Sequence, residues 1–473
     1  MPPLPRPRAA ATISLPPRLA SVAGDCDVLV VGGGPAGLGA ALGAAAAGAR
    51  VIVCERHGFL GGNATAALVM PLMSFHTQRT APAPDRVADL MPADHGLGDP
   101  AVRGALKRLL DRLVSAGGAI APSQQTGFVV PFDPEIFKLV ALDLLDEAGV
   151  DFLLHAFASG VIGAPRLEGV SFETKSGPVA ITARVTIDCT GDGDIAALAG
   201  APFEVGRDGD QLVQPMTLMF RMVEFERAGF AAYRQAHPDQ WRGVHGLWDL
   251  IRRATAAGEL ELPREDILFF GTPHDEEVSV NSTRVTGVLG TSVWDLTHAE
   301  WQARRQMKQI VAFLKKYVPG FERAYTVQTG VTVGVRETRR IVGEYQLTGT
   351  DILAARKWDD VIACGTYPID IHNPAGKGTI LRRVPPGEAY DIPLRCLLPQ
   401  GVDRLLVAGR CISGTHEAHS SYRVMPIAMA TGQAAGVCGA LAARVGKAPR
   451  DVPAADVQAE LRRQGAVLST PAP

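Results

Sequence analysis

The sequence predicts an α/β fold, a parallel sheet flanked by helices and interrupted by an inserted α+β region, and three observations predict it. A β-branched run at 28–31 leads into a glycine-rich turn and an Ala-rich helix. A second short strand at 51–54 follows and ends on an acid, Glu55. Further strand-then-turn segments recur at 184–194 and 403–410 of a 473-residue chain, so the sheet must gather distant pieces around an insertion.

The first turn carries the most chemistry. Gly32, Gly34 and Gly37 form GxGxxG, with Pro35 and Ala36 opening the helix. Gly32 permits the tight turn, Gly34 lets a diphosphate approach the backbone, and Gly37 lets helix and strand pack closely. The helix N-terminus offers free N–H groups and the positive end of its dipole. Glu55 stands 18 residues after Gly37 (55 − 37), at the end of the second strand, where a carboxylate can accept both hydroxyls of an adenosine ribose. A glycine turn also serves as a plain βαβ connection. The ordered succession of strand, glycines, helix, strand and acid favours a dinucleotide.

Beyond Glu55 come Arg56 and a second glycine pair, Gly61-Gly62, followed by Asn63. On these residues the chain resembles the glutathione-reductase-like FAD proteins, in which such a pair passes near the pyrophosphate and flavin. The resemblance implies FAD rather than NAD and a Rossmann-like domain. It extends to Thr190-Gly191-Asp192, similar to that superfamily's ATG-like turn, and to Gly409 and Arg410 after a late strand. It also covers a helix opened by Pro426, whose N-terminus would face the flavin pyrimidine ring. Many relatives carry an acid where Arg410 stands, so Arg410 is expected to meet phosphate or substrate instead. Ala156, after a strand at 150–155, is the position at which relatives contact adenine. Stretches at 280–284, 334–343, 367–372 and 416–426 make the whole similar to the FAD-dependent oxidoreductase family.

The expected organisation is an N-terminal arm (1–23), a discontinuous FAD-binding domain (24–80, 128–206 and 400–447), a substrate or cap domain (81–127 and 207–399) and a C-terminal tail (448–473). Residues 133–148 read as a helix capped by Asp133 with Pro134 first. Segments 322–331 and 361–371 read as cap strands, and 94–99 as a loop. No stretch is read as membrane-spanning; the most apolar run considered is 37–53.

No second GxGxxG unit occurs downstream, which argues against stable nicotinamide binding, and no CxxC pair suits a disulfide reductase. The expected reaction is hydride transfer between a small organic substrate and flavin. The external electron acceptor would be oxygen, a quinone or an electron-transfer protein. Reduction of an activated double bond, as in fumarate-reductase-like proteins, and a structural or non-redox FAD remain as rivals. The candidate catalytic residues are His416 as general base, Arg423 as anion clamp, and His372 and Arg336. Equally open are a turn cap for His416, an internal ion pair for Arg423 with an acid such as Glu337, and a solvated strand face for 336–340. Asp370 and His372 share a strand face as a carboxylate–imidazole pair. His416 and His419 stand three apart rather than four, so no metal is expected.

Formal net charge is −2, from 47 basic and 49 acidic residues, with no long basic run, so neither nucleic acid nor an anionic membrane is an expected partner. Seven scattered cysteines fit packed thiols and a cytoplasmic setting.

Overall fold

A computed structural model describes residues 12–78, 90–91, 96, 98–376 and 378–468. The first eleven residues of the expected arm and residues 94, 95 and 97 of the expected loop at 94–99 lie outside the described residues. Six strands join Leu405–Val407 in one sheet: β1 (Ser21–Val31), β2 (Val51–Cys54), β3 (Asp151–Leu153), β4 (Phe157–Ile162), β5 (Gly169–Thr174) and β6 (Gly177–Asp188). The run β3-β2-β1-β6 is parallel. β6 is long enough to serve two partners in tandem. Its first half pairs antiparallel with β5, and its last three residues pair parallel with Leu405–Val407. The result is a mixed α/β fold with a parallel-rich sheet.

β1 starts earlier than the sequence suggests. Ser21 pairs with Val179, so the expected arm at 1–23 ends inside a strand. Residues 21–23 are exposed, and no buried alternation marks them as strand. The helix at Pro134–Glu147 starts where expected, with Asp133 Oδ1 accepting from the N–H of Glu135 at 2.7 Å.

Two helices cross the sheet as a pair. Helix α1 (Pro35–Ala46) follows the glycine turn, and the closing helix spans Met425–Val445. Both are built from small residues, and their backbones touch. A Cβ on Gly432 would fall 1.9 Å from the Ala36 carbonyl oxygen, and one on Gly436 2.0 Å from that of Ala40. Because 36 faces 432 and 40 faces 436, the helices run in the same direction. The closing helix begins seven residues (432 − 425) before that contact, so its N-terminus projects about 10 Å beyond the start of α1 at 1.5 Å per residue.

This closing helix corrects one expectation. At 21 residues it is long and apolar enough to cross a membrane, although 89% of its most apolar window is buried within the protein. The composition that gives it that character is the Ala/Gly content needed for close packing.

A second, antiparallel six-stranded sheet includes Phe220–Val223, Ile267–Gly271, Val278–Val280 and Tyr325–Thr329. It has its own apolar core around Phe225, Phe230, Phe269 and Phe321, backed by the helix Val293–Tyr317. Arg221 pairs with Glu277 beside the same sheet at 2.8 Å and reaches Asp133, the cap of the Pro134–Glu147 helix, at 3.4 Å. The expected strand at 361–371 is two strands, Val361–Gly365 and Ile369–His372, separated at Pro368, which cannot donate to a ladder. Val361–Gly365 pairs with Tyr390–Pro393 and packs into the larger core beside the closing helix, not into the six-stranded sheet.

Gly436→Ala should destabilise the protein by roughly 1–3 kcal/mol through the clash with Ala40. Gly439→Ala, whose Cβ would meet nothing closer than 3.4 Å, should be neutral or slightly stabilising. Paired thermal melts check this, and equal effects at both positions would refute the close helix contact.

Candidate functional site

The first glycine turn is fixed from below and open above. Gly32 has φ of +102°, and a Cβ there would lie 2.4 Å from the Cys189 carbonyl oxygen. Gly37 sits against the carbonyl of Gly32, leaving 1.8 Å for a Cβ. Gly34 is different: its Cβ would meet nothing nearer than Gly62 Cα at 3.6 Å. The folded protein therefore has room for a side chain at Gly34, and only a ligand would forbid one. The second glycine pair lies directly on the first. Gly61 N–H donates to the Gly33 carbonyl at 2.8 Å, and a Cβ on Gly62 would stand 2.8 Å from Gly34 Cα.

Glu55 is buried and anchored. Its Oε2 accepts from Gly33 N–H at 2.7 Å and its Oε1 from His57 N–H at 2.9 Å, which fixes the carboxylate between the turn and the end of β2. No side chain caps α1 and no acid stands in its first turn, so its N-terminal donors and dipole are left for an anion.

These elements border a cleft of about 990 Å³. Gly32, Gly34, Pro35 and Ala36 line it beside Glu55, Arg56, Gly62 and Asn63; Ala156, Thr190, Gly191, Gly409 and Arg410 complete the predicted set found there. The turn at Thr190 is held by Asp188, whose Oδ1 accepts from both the Thr190 hydroxyl (2.7 Å) and its N–H (3.0 Å). Four predicted cofactor residues do not line the cleft. Gly37 and Gly61 support the turns from behind, Asp192 accepts from Thr338 and Arg410, and Pro426 faces a second cavity.

That second cavity, about 860 Å³, meets the first at Asn63, Arg410, Arg423 and Met425, which border both. The N-terminus of the closing helix, without a side-chain cap, lies at this junction. The apolar lining of the second cavity is Val69, Met70, Met73, Met219 and Phe270 among others. Its polar lining includes Arg336, Tyr367, Asp370 and His372. Asp370 receives the Tyr367 hydroxyl at 2.8 Å, while His372 Nε2 and Arg423 Nη2 stand 3.6 and 3.4 Å away. Burial opposes a charge on Asp370, yet the His372 imidazole, the Arg423 guanidinium and the Tyr367 hydroxyl hold the carboxyl below its ordinary range. Arg284 Nη2 approaches His372 Nδ1 at 3.2 Å; a guanidinium only donates, so Nδ1 accepts and the proton resides on Nε2, facing Asp370. Burial holds His372 well below its usual pKa, so the ring is neutral.

His416 lines neither cavity. Its Nδ1 lies 2.8 Å from Glu337 Oε1, and among the described residues its Nε2 is enclosed without a partner. His372 lines the second cavity with its Nδ1 lone pair engaged and its Nε2 towards Asp370. Arg423 borders both cavities as expected, but its acid is Asp370, not Glu337.

The segment 336–340 is no solvated face. Only Arg339 and Arg340 enter a strand (Arg339–Ile341), so the expected alternation does not extend over the segment. Glu337 pairs with Arg340 at 2.6 Å, Thr338 donates to Asp192, and Arg339 reaches Asp194 at 2.8 Å. Arg336 alone enters the second cavity, donating through Nη1 to the Pro215 carbonyl and the Thr217 hydroxyl, both at 2.6 Å. Sequence reading passed over Thr217, Asn281 and Tyr367 as site residues. Asn281 and Tyr367 both fall in stretches that already carried the resemblance, which is the signal that could have found them; Thr217 offered none. Asn281 lines the cavity with its Oδ1 buried and without a partner.

The folded chain was compared with known proteins. No curated protein matches it. Among solved structures it is similar to the flavin-dependent brominase Bmp2 (11% identity, 93% of this chain and 84% of that one, TM-score 0.48). It is also similar to the myxobacterial chondrochloren halogenase CndH (14%, 93% and 79%, 0.44). A geranylgeranyl bacteriochlorophyll reductase-like protein from Thermoplasma acidophilum gives 12%, 93% and 83%, with a TM-score of 0.43. Likenesses this remote say nothing of the reaction. A family model for FAD dependent oxidoreductases matches residues 27–461, nearly the whole length. The chain belongs to the FAD dependent oxidoreductase family.

Proposed function

We propose that FAD lies along the first cleft, with its diphosphate on the stacked glycine turns and its ring at the junction of the two cavities. A small organic substrate would occupy the second cavity. The observation that carries this reading is the offset of the two helix N-termini. The α1 terminus meets the glycine turns, and the closing-helix terminus, about 10 Å further along, meets the substrate side. In this reading Glu55 takes the adenosine ribose, Ala156 borders the adenine, and Arg410 and Asn63 flank the ring. The Rossmann-like character of the βαβ unit, and a cap formed around the six-stranded sheet, belong to the same proposal.

When bound, FAD supplies a two-electron acceptor for the hydride equivalent released by the substrate. The chain's own part is the proton. Asp370, ionised and facing the cavity, accepts it from the substrate, while His372 and Tyr367 fix the carboxylate and Arg423 offsets its charge. The electrons then pass to an external acceptor (oxygen, a quinone or an electron-transfer protein). The lack of a second dinucleotide turn supports this over a nicotinamide partner. Reduction of an activated double bond is a second reading, favoured by one observation. Burial, helped by Arg423, presses Arg336 down to about 9, within reach of a proton donor.

Gly34→Ala should fold with a nearly unchanged melting temperature yet lose most of its flavin; full occupancy would remove the diphosphate from this turn. Anaerobic screening of metabolites against the flavin absorbance identifies the direction of reaction. Bleaching by a saturated compound supports dehydrogenation, whereas reoxidation of reduced flavin by an unsaturated one supports the second reading. With the bleaching compound in hand, Asp370→Asn should slow reduction by about 10²–10⁴-fold at unchanged flavin content. His416→Ala should leave that rate nearly as it was, and a comparable loss there would return His416 to the mechanism.

A further inference from the structure

Three arginines border the second cavity, and their counter-charges differ. Arg410 pairs with Asp192 at 3.1 Å, and Arg423 shares Asp370 at 3.4 Å. Both also border the first cleft, so a cofactor can answer whatever charge they leave over. Arg336 has neither at close range, since Asp370 reaches it only as an opposite charge beyond ion-pair distance. It lines the second cavity only, its partners are a carbonyl and a hydroxyl, and no carboxylate among the described residues forms an ion pair with it. His372 is neutral and Asp370 is the cavity's one acid, so the described lining holds an excess of buried positive charge on its substrate side. A buried cation with neutral partners is costly, and evolution of a purely structural site would answer it with an acid or replace it with an apolar side chain.

Resting on the function proposed above, we infer that the substrate is a carboxylate with an apolar body, its anionic group held by the guanidinium of Arg336 together with that of Arg423. Among the described residues the fork of Arg336 makes its hydrogen bonds through Nη1, which leaves Nη2 and Nε for a planar anion. Arg423 Nε is buried without a partner and supplies a further donor. The apolar lining of the same cavity, Met70, Met73, Met219 and Phe270, offers thioether and aromatic surface that suits an aliphatic or aromatic body and gives nothing to a second charge. Burial and the neighbouring guanidinium of Arg423 lower the Arg336 pKa only to about 9, so the clamp is charged at neutral pH.

The test compares 4-methylpentanoate with its neutral amide, 4-methylpentanamide, on the holoprotein, reading both calorimetric heat and the shift of the bound-flavin spectrum. The acid should bind and the amide should bind at least about tenfold more weakly. Arg336→Gln should weaken acid binding by about thirtyfold or more while changing amide binding little, and Arg336→Lys should keep part of the preference. Equal binding of acid and amide by the wild-type protein, no binding of either at millimolar concentration, or full acid affinity in Arg336→Gln would overturn the inference. Flavin content and melting temperature are measured on every sample. A flavin-free protein that still prefers the acid by calorimetry would contradict the proposed function and leave the anion clamp standing. A flavin-loaded protein indifferent to charge would do the reverse.

Discussion

The arrangement depends on one contact, the backbone-to-backbone packing of α1 on the closing helix. Gly432 and Gly436 lie against the carbonyls of Ala36 and Ala40 so closely that no Cβ fits between them. The contact joins residues about four hundred positions apart, and it sets the register in which two helix N-termini are presented. α1 brings its terminus to the glycine turns, and the closing helix brings its own to the boundary between the cavities. A bulkier pair of helices would separate these ends or slide one along the other, and the sites they serve would lose their alignment.

A second layer of organisation comes from buried charge. Glu337 is wholly buried and receives Arg340, His416 and the N–H of Gln214 together. This cluster satisfies its ions internally, away from both cavities, and holds the segment from which Arg336 emerges. Asp188 plays a similar part beneath Thr190. These carboxylates shape backbone, whereas Asp370 faces open space. The distinction lies in what each acid touches, since all three are equally acidic as sequence.

Much of the fold was legible in the chain because its signals are local. Gly32, Gly34, Gly37 and Glu55 announce strand, turn, helix and second strand through steric demands that act within thirty residues. Asp133 before Pro134 announces a helix start in the same way. The start of β1 at Ser21 was not legible, since its first residues are exposed and show no buried alternation. The apolar length of the closing helix was passed over because Ala and Gly read as weakly hydrophobic, although close packing buries nearly all of it. In the site, the glycines that line the first cleft were legible, and the surroundings of His416 and His372 were not. Which imidazole nitrogen is engaged depends on Glu337 and Arg284, 79 and 88 residues away in sequence, and no spacing rule reports such encounters.

The central claim is that the stacked glycine turns, Gly32 to Gly34 beneath Gly61 and Gly62, cradle the FAD diphosphate. A crystal structure of the FAD-loaded protein tests it most directly. The account predicts diphosphate density over Gly34 and the first N–H groups of α1, with the ring between Asn63 and the start of the closing helix. Density for FAD elsewhere on the chain, with this cleft filled by solvent, would contradict it.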